Sequence, residues 1–553
     1  MDLRLTATRA GACLVVYAAL AIWLTWPLGA YVATHLPATT SLLFDTIHTA
    51  WVLSWETHSL TTAPSTLPDA NIYFPTINAL FYGQTAFGAL PYFAPVFLAS
   101  GNPTLALNVM FLGGVALTAC SLHLVVHHWT RSHVAGAIAA WTFLTTRWVL
   151  WEVVPTAPQY ALLHFFPLIL LLAMTPARRF PLGLLALVVL QALVDPVYLG
   201  AGLLIPLGLL AAGRLARADT REAGIRLAAV VASAAVALFV AFASHLLVRA
   251  ANPNLAQQTV WTVPMPPIAF PWGLVSCPAP TAAPSAFLLL IVAGAASAVI
   301  AGSEAPARRA WAHVALWTAV GVALSLKPPT FPIGEMLRVP ARNGIAALIG
   351  IALLAGLAFA ECGRRLAAWG RFAPLVLAAM VAVAGYVEHR HGLADPSFQR
   401  PPLPPYGLAR MPVLEPPLLD AVGRASGPLL ELPLGDGQQR FALLNARAMY
   451  RSIFHWRPLV NGYDGYFPAD FPRRVELASR LPDAAALRAL AEATELQTIL
   501  VNTEDLTPDD RAVWTGIADA GRRDDLRLVQ RDGTRLLFAV TVDATKRDPV
   551  ARR

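Results

Sequence analysis

Residues 42–101 read LLFDTIHTAWVLSWETHSLTTAPSTLPDANIYFPTINALFYGQTAFGALPYFAPVFLASG, and their character decides how the rest of the chain is read. They belong to a loop that runs from Thr34 to Gly101, flanked on both sides by sequence apolar enough to sit in lipid. The loop nevertheless carries Asp45, His48, Glu56, His58 and Asp69. Ionisable side chains beside membrane spans are costly to keep and tend to be used. The loop is therefore expected to form the floor of an active site at the outer membrane surface. Within it, Thr46–Leu60 is amphipathic at helical spacing, with Trp51 and Trp55 on one stripe, and is predicted to lie in the membrane interface. Ala79–Ala99 is long enough to cross, but Gly83, Gly88, Pro91 and Pro95 interrupt it. A span there would put the later Arg-rich loops outside, so it is read as a second juxtamembrane helix.

Working outward, the chain has 553 residues, 56% hydrophobic and only 13% charged. That balance implies a polytopic α-helical membrane protein. A β-barrel is excluded because the apolar stretches are continuous, not alternating. The net charge of +8 does not imply nucleic acid, because the Arg residues are spread over short loops between apolar segments, as the positive-inside rule distributes them. Cys13, Cys120, Cys277 and Cys362 lie too far apart to draw a disulfide framework or a metal motif. The amino-terminal apolar core ends in Trp23, Trp26 and Tyr31 and is read as an uncleaved first helix, with the amino terminus in the cytoplasm.

A spanning helix needs about 20 apolar residues. Candidates are Gly11–Ala33, Leu105–Val126, Ala135–Leu150, Tyr160–Met174, Leu182–Val194 and Leu199–Ala212, followed by Leu227–Val248, Ala286–Ala301, Trp311–Leu326, Gly344–Ala360 and Ala373–Val387. These make about 11 spans by the length criterion. Residues 1–388 are thus expected to form a membrane domain whose first outer loop is 34–103. Residues 389–405 read as a proline-rich linker, and 406–553 as a soluble α/β domain on the outer side. In that domain Pro428–Pro433 and Gln497–Asn502 read as buried strands. Ala484–Ala493 reads as a helix with Leu487 and Leu490 inward, and Leu526–Val542 as a hairpin about Asp532-Gly533.

Asp45 is the most telling carboxylate. It suits the acceptance of a proton from an acceptor hydroxyl, or the holding of a divalent cation such as Mg or Mn. It equally suits capping of a helix that begins at Thr46. The run TWPLGAYVATHLP, the spacing from Asp45 through Trp51 and Trp55 to His58, and DANIYFP (Asp69–Pro75) resemble bacterial membrane proteins of the GT-C glycosyltransferase type, in a branch with a carboxy-terminal soluble domain. GNPTLALN (Gly101–Asn108), LRVPARN (Leu337–Asn343) and HWRPLVNGYDGYFP (His455–Pro468) agree with it.

The resemblance implies transfer of a sugar from a polyprenyl-phosphate donor to a lipid or glycan acceptor, with Asp45 as the acid of the first outer loop. Glu152, in the second outer loop, is then the candidate second carboxylate, or simply a polar helix end. Phe44 stands where many relatives have Gly, and no adjacent acidic pair is present, which counts against a tightly held metal on Asp45. Arg338 and Arg342 lie on the outer side, against the positive-inside trend. Their guanidinium groups match phosphate oxygens, or snorkel to headgroups. Lys327 in the same loop is a further candidate. His48 and His58 offer metal or substrate contacts but are too far apart to share one helix face, and Asp69 is a further substrate-binding candidate. Asp195 suits a cavity wall or a turn before Pro196. His455, Trp456, Asn461, Tyr463, Asp464 and Tyr466 combine stacking faces with hydrogen-bonding ends, as a sugar site or a docking seam would.

No P-loop, H-E-x-x-H or G-x-S-x-G pattern occurs. The expected function is inverting glycosyl transfer, hexosyl or pentosyl, at the outer face of a bacterial inner membrane. Two alternatives stay open: a transporter or flippase of lipid-linked intermediates, and a non-catalytic envelope scaffold. The first would need polar residues at mid-membrane depth, of which the spans offer few.

Overall fold

A computed structural model describes residues 3–39, 42–151, 154–175, 179–251, 284–301, 305–325, 342, 344–391 and 405–541. Two compact units emerge. One comprises Met1–Ser41, Ala86–Phe242 and Thr262–Ala409, the other Leu42–Thr85, Ala243–Trp261 and Arg410–Arg553. Residues 42–85, which the sequence groups with the membrane helices, thus cluster with the carboxy-terminal part.

The first unit is helical. Among the described residues, Pro103–Thr130, Tyr198–Leu215, Ala218–Val248 and Ile345–Trp369 are long and apolar enough to cross a membrane. Shorter apolar helices accompany them, including His133–Leu144, Phe165–Met174, Leu182–Ala192 and Ser285–Val299. The protein is a multi-pass membrane protein. The helix Ile345–Leu366 is its hub, buried along most of its length and packed on Ser285–Ala301, Ala305–Ser325 and His133–Leu144. Lipid-embedded helices gain little from burying apolar surface against one another, so close backbone approach has to hold them. Small residues supply that approach here. A Cβ on Gly321 would lie 2.1 Å from the backbone N of Ala347, one on Gly294 2.5 Å from Cα of Ala358, and one on Gly350 2.2 Å from the Thr318 hydroxyl.

Two expectations about the loop are corrected. Thr46–Leu60 is part of a longer helix, Leu43–Thr62, buried on nearly every side. It packs on the helix Gln438–Ser452 and does not present an apolar face to an interface. Its polar face is tolerated inside because the hydroxyls bond back to their own helix: Ser54 donates to the Ala50 carbonyl at 2.7 Å and Thr57 to that of Leu53 at 2.7 Å. Ala79–Ala99 is not one helix. A short turn at Ala79–Tyr82 ends in extended Gly83, a second turn follows at Phe87–Ala89, and only Leu90–Ser100 is α-helical.

The second unit is built on a five-stranded sheet in the order Leu429–Leu432, Thr498–Asn502, Arg535–Val540, Leu526–Asp532, Arg522–Arg523. The first pair is parallel and the others antiparallel. Leu430, Leu432, Ile499, Val501 and Phe538 supply the sheet's part of a core closed by Leu487, Leu490 and Trp514. The hairpin turns at Gly533, whose φ of 53° suits glycine.

The loop segment 71–74 is knitted onto this framework. The Leu459 N–H donates to the Asn71 carbonyl at 2.9 Å, Tyr73 to Asn461 at 3.0 Å and Phe74 to Leu459 at 3.0 Å. On its other side Val460 donates to Leu429 at 2.8 Å. Arg474 locks the segment, donating to the carbonyls of Tyr73 at 2.6 Å and Phe74 at 3.0 Å and to the Thr76 hydroxyl at 3.1 Å.

Gly321→Val is expected to abolish the folded, monodisperse detergent-solubilised protein, because rigid backbone fills the space. Gly183→Ala, with nothing within 4 Å of the added methyl, is expected to leave it intact. Size-exclusion profiles of the two variants check this, and a monodisperse Gly321→Val would refute the packing argument.

Candidate active site

Asp45 sits in the first turn of Leu43–Thr62, where a negative charge favours the helix dipole. The helix starts before Thr46, at Leu43, and no side chain caps it. The Asp45 carboxylate instead accepts a hydrogen bond at 2.8 Å from the hydroxyl of Tyr463, 418 residues away in sequence. Burial, then Asp45, Asp464 and Tyr73, raise the Tyr463 pKa well above the ordinary phenol value, so the hydroxyl stays a donor. Phe44 packs edge-on against the same ring, with centroids 5.5 Å apart.

One turn along the helix, buried His48 places Nε2 3.4 Å from a carboxylate oxygen of Asp464, which is also buried. That separation is an ion-pair distance, longer than a well-formed hydrogen bond. Burial alone would pull the imidazole pKa down, but Asp464 and then Asp45 outweigh it, and the net direction is upward. Asp464 is hemmed in: the Gly465 N–H donates to it at 2.7 Å, and a Cβ on Gly83 would fall 1.7 Å from Oδ1. Tyr73 lies behind, ring-on against Gly462, with φ of 56° and a buried hydroxyl.

Other sequence candidates resolve differently. Asp69 is exposed, and its carboxylate accepts the Asn78 N–H at 2.7 Å, closing a loop. His58 stacks on Trp456 with centroids 4.1 Å apart. Asn461 bridges the Glu431 backbone, accepting from its N–H at 2.7 Å and donating to its carbonyl at 2.9 Å. Glu152, Lys327 and Arg338 lie outside the described residues.

Arg342 belongs to the first unit. Its guanidinium carbon lies 5.7 Å from the Tyr160 ring centroid and 5.6 Å from that of Tyr198, within cation–π range. The Tyr160 hydroxyl donates to Asp195 at 2.5 Å, and the other Asp195 oxygen accepts the N–H groups of Val197 at 3.0 Å and Tyr198 at 2.9 Å. Asp195 is thus both a turn former and a buried anchor.

The sequence assigned no role to Tyr73, Tyr160 and Tyr198 and marked Gly83 only as a helix breaker. Gly83 offered a faint signal as a glycine within an apolar run; no local pattern marks the others.

No family model matches the chain, and no curated protein does. The cryo-EM structure of the arabinofuranosyltransferase AftD from Mycobacteria aligns over 96% of this chain with a TM-score of 0.55 at 15% identity. The chain has a GT-C type fold. A mutant of that enzyme aligns with a TM-score of 0.52 at 16% identity over 96% of this chain and 41% of the other. The crystal structure of apo ArnT from Cupriavidus metallidurans aligns over 96% of this chain and 98% of that one, at 12% identity and a TM-score of 0.47. This chain spans about 40% of the length of AftD.

Gly83→Ala is expected to displace Asp464 and uncouple it from His48, lowering thermal stability; an unchanged melting temperature would contradict the tight contact. The ion pair also has a pH signature. The folded His48 pKa lies above the ordinary 6.5, so its stabilisation is complete below that value and fades as pH rises through the raised one. Melting curves across that range are expected to show a decline that His48→Gln removes.

Proposed function

We propose that the protein is a membrane glycosyltransferase that moves a pentose or hexose from a polyprenyl-phosphate donor to a cell-envelope acceptor at the outer face of the inner membrane. The observation that carries this reading is the Asp45 carboxylate, taken up by the Tyr463 hydroxyl at 2.8 Å in a chain with a GT-C type fold. In the proposed step the acceptor hydroxyl attacks the anomeric carbon and passes its proton to Asp45. The bond from that carbon to the donor phosphate oxygen breaks, and the phosphate leaves with the electron pair, giving inversion. Tyr463 orients Asp45 and stabilises its charged form before the proton arrives. From sequence, Arg342, Arg338 and Lys327 are assigned to the donor phosphate, the planar guanidinium forks matching its oxygens.

A divalent cation is part of the sequence expectation. Among the described residues no three His, Cys, Asp or Glu side chains gather in a way that could hold one, so no step here runs through a metal.

The test is transfer from a synthetic polyprenyl-phosphate sugar by the purified full chain. Asp45→Asn is expected to lower kcat by about 100-fold or more, the usual reach of a general base, with the fold intact. Tyr463→Phe removes a hydrogen bond from the charged carboxylate, so the acid limb of the pH profile is expected to move to higher pH. Full activity in Asp45→Asn would discard the assignment.

A further inference from the structure

The far end of the Leu43–Thr62 helix carries an aromatic cluster that the proposed reaction leaves unused. His58 lies about 20 Å beyond Asp45 along the axis, at 1.5 Å per residue. Its ring stacks nearly parallel on that of Trp456, at 10° and 4.1 Å between centroids. Trp55 stands against the same indole at 5.9 Å, pinned by its own Nε1–H to the Leu67 carbonyl at 3.0 Å. His58 and Trp456 are each half-buried, so the stack reaches the surface.

The backbone under Trp456 is unusual. The residue follows the helix Gln438–Ser452, with its N–H on the Ser452 carbonyl at 2.7 Å and φ of 50°. Chains ordinarily put glycine where a helix end turns left-handed, and a bulky residue there is an outlier. The indole is held against a local preference, the kind of strain that clusters at ligand sites.

Charge narrows the ligand. Arg457, next in sequence, is consumed internally by the carbonyls of Val422 at 3.0 Å, Ser426 at 2.6 Å and Gly427 at 2.7 Å, and by the Thr498 hydroxyl at 2.8 Å. Arg451 is paired with Glu431 in the interior. Burial lowers the His58 pKa below its ordinary value, which disfavours the charged imidazolium. The two guanidinium groups nearest Trp456 in sequence are thus committed to internal partners and are not left for an anionic headgroup. A sugar ring, with an apolar face of C–H bonds and a rim of hydroxyls, fits a flat aromatic body with a polar edge.

We propose that His58 and Trp456 form a subsite for a neutral glycan, and that the acceptor is therefore a carbohydrate chain and not a lipid. This rests on the transferase reading for its role as an acceptor site, but its test does not depend on turnover.

The test is calorimetric titration of the full chain in detergent with neutral linear hexasaccharides of arabinose, mannose and glucose. The wild type is expected to bind at least one of them. Trp456→Gly, which suits the left-handed backbone, is expected to weaken binding about tenfold or more, roughly 1.4 kcal/mol, with an unchanged or higher melting temperature. His58→Phe, which keeps the stack, is expected to retain binding and His58→Ala to lose it; this pair decides the matter if Trp456→Gly fails to fold. Absence of binding by the wild type overturns the proposal. So does a Trp456→Gly variant that binds normally but melts lower, which would make the stack a packing seam, or one that loses only association with phosphatidylglycerol vesicles. Asp45→Asn is expected to bind the sugar normally, so failure of the transfer assay and failure of this subsite are separate results.

Discussion

Three backbone hydrogen bonds between residues 71–74 and 459–461 fix the geometry on which the candidate site depends. They set the register in which Gly462 meets the face of Tyr73, and hence where the next two side chains, Tyr463 and Asp464, emerge. Tyr463 and Asp464 both face the Leu43–Thr62 helix, so a slip of one residue would carry each past its partner. Tyr463 would no longer reach Asp45, nor Asp464 His48. The clamp by Arg474 on the carbonyls of Tyr73 and Phe74 makes such a slip costly, because buried carbonyls would lose charge-assisted partners.

The same unit shows how a largely buried set of charges is tolerated. His48 and Asp464 compensate one another, Glu431 and Arg451 do likewise, and Arg457 spends its donors on carbonyls. Such pairs contribute little net stability, since desolvation offsets much of the attraction. Their value here lies in specificity: each joins segments whose mispairing would strand a charge in the interior. The first unit meets a different difficulty, the weak cohesion of apolar helices in lipid, by letting backbones touch at Gly294, Gly321 and Gly350.

What the sequence made legible follows the range of the physics involved. The helix Ala484–Thr494 and the hairpin at Gly533 rest on local periodicity and turn chemistry, and both stand where that chemistry puts them. Asp45 stood out because a carboxylate amid apolar residues needs a reason. Its partner Tyr463 could not be found that way, since nothing local encodes a contact across 418 residues. The Leu43–Thr62 helix was misread for a related cause. Its Ser and Thr side chains look like a solvent face in one dimension, yet they are satisfied by the helix's own carbonyls. Ala79–Ala99 misled because Gly83 reads as a mere helix breaker, whereas it is the one residue type that fits against the Asp464 carboxylate.

The ladder also imposes an order on biosynthesis. Asn71 bonds to Ser452 across 381 residues, so the segment that carries Asp45 emerges from the ribosome long before its partners exist. At roughly 5–20 residues per second, it waits on the order of 20–80 s, while the chain that intervenes is being made. Throughout that interval Asn71, Tyr73 and His48 lack the partners that residues 452–464 supply. Nascent chains of this protein should therefore be most exposed to chaperones and proteases at residues 42–85, and relieved only when the last quarter of translation is under way.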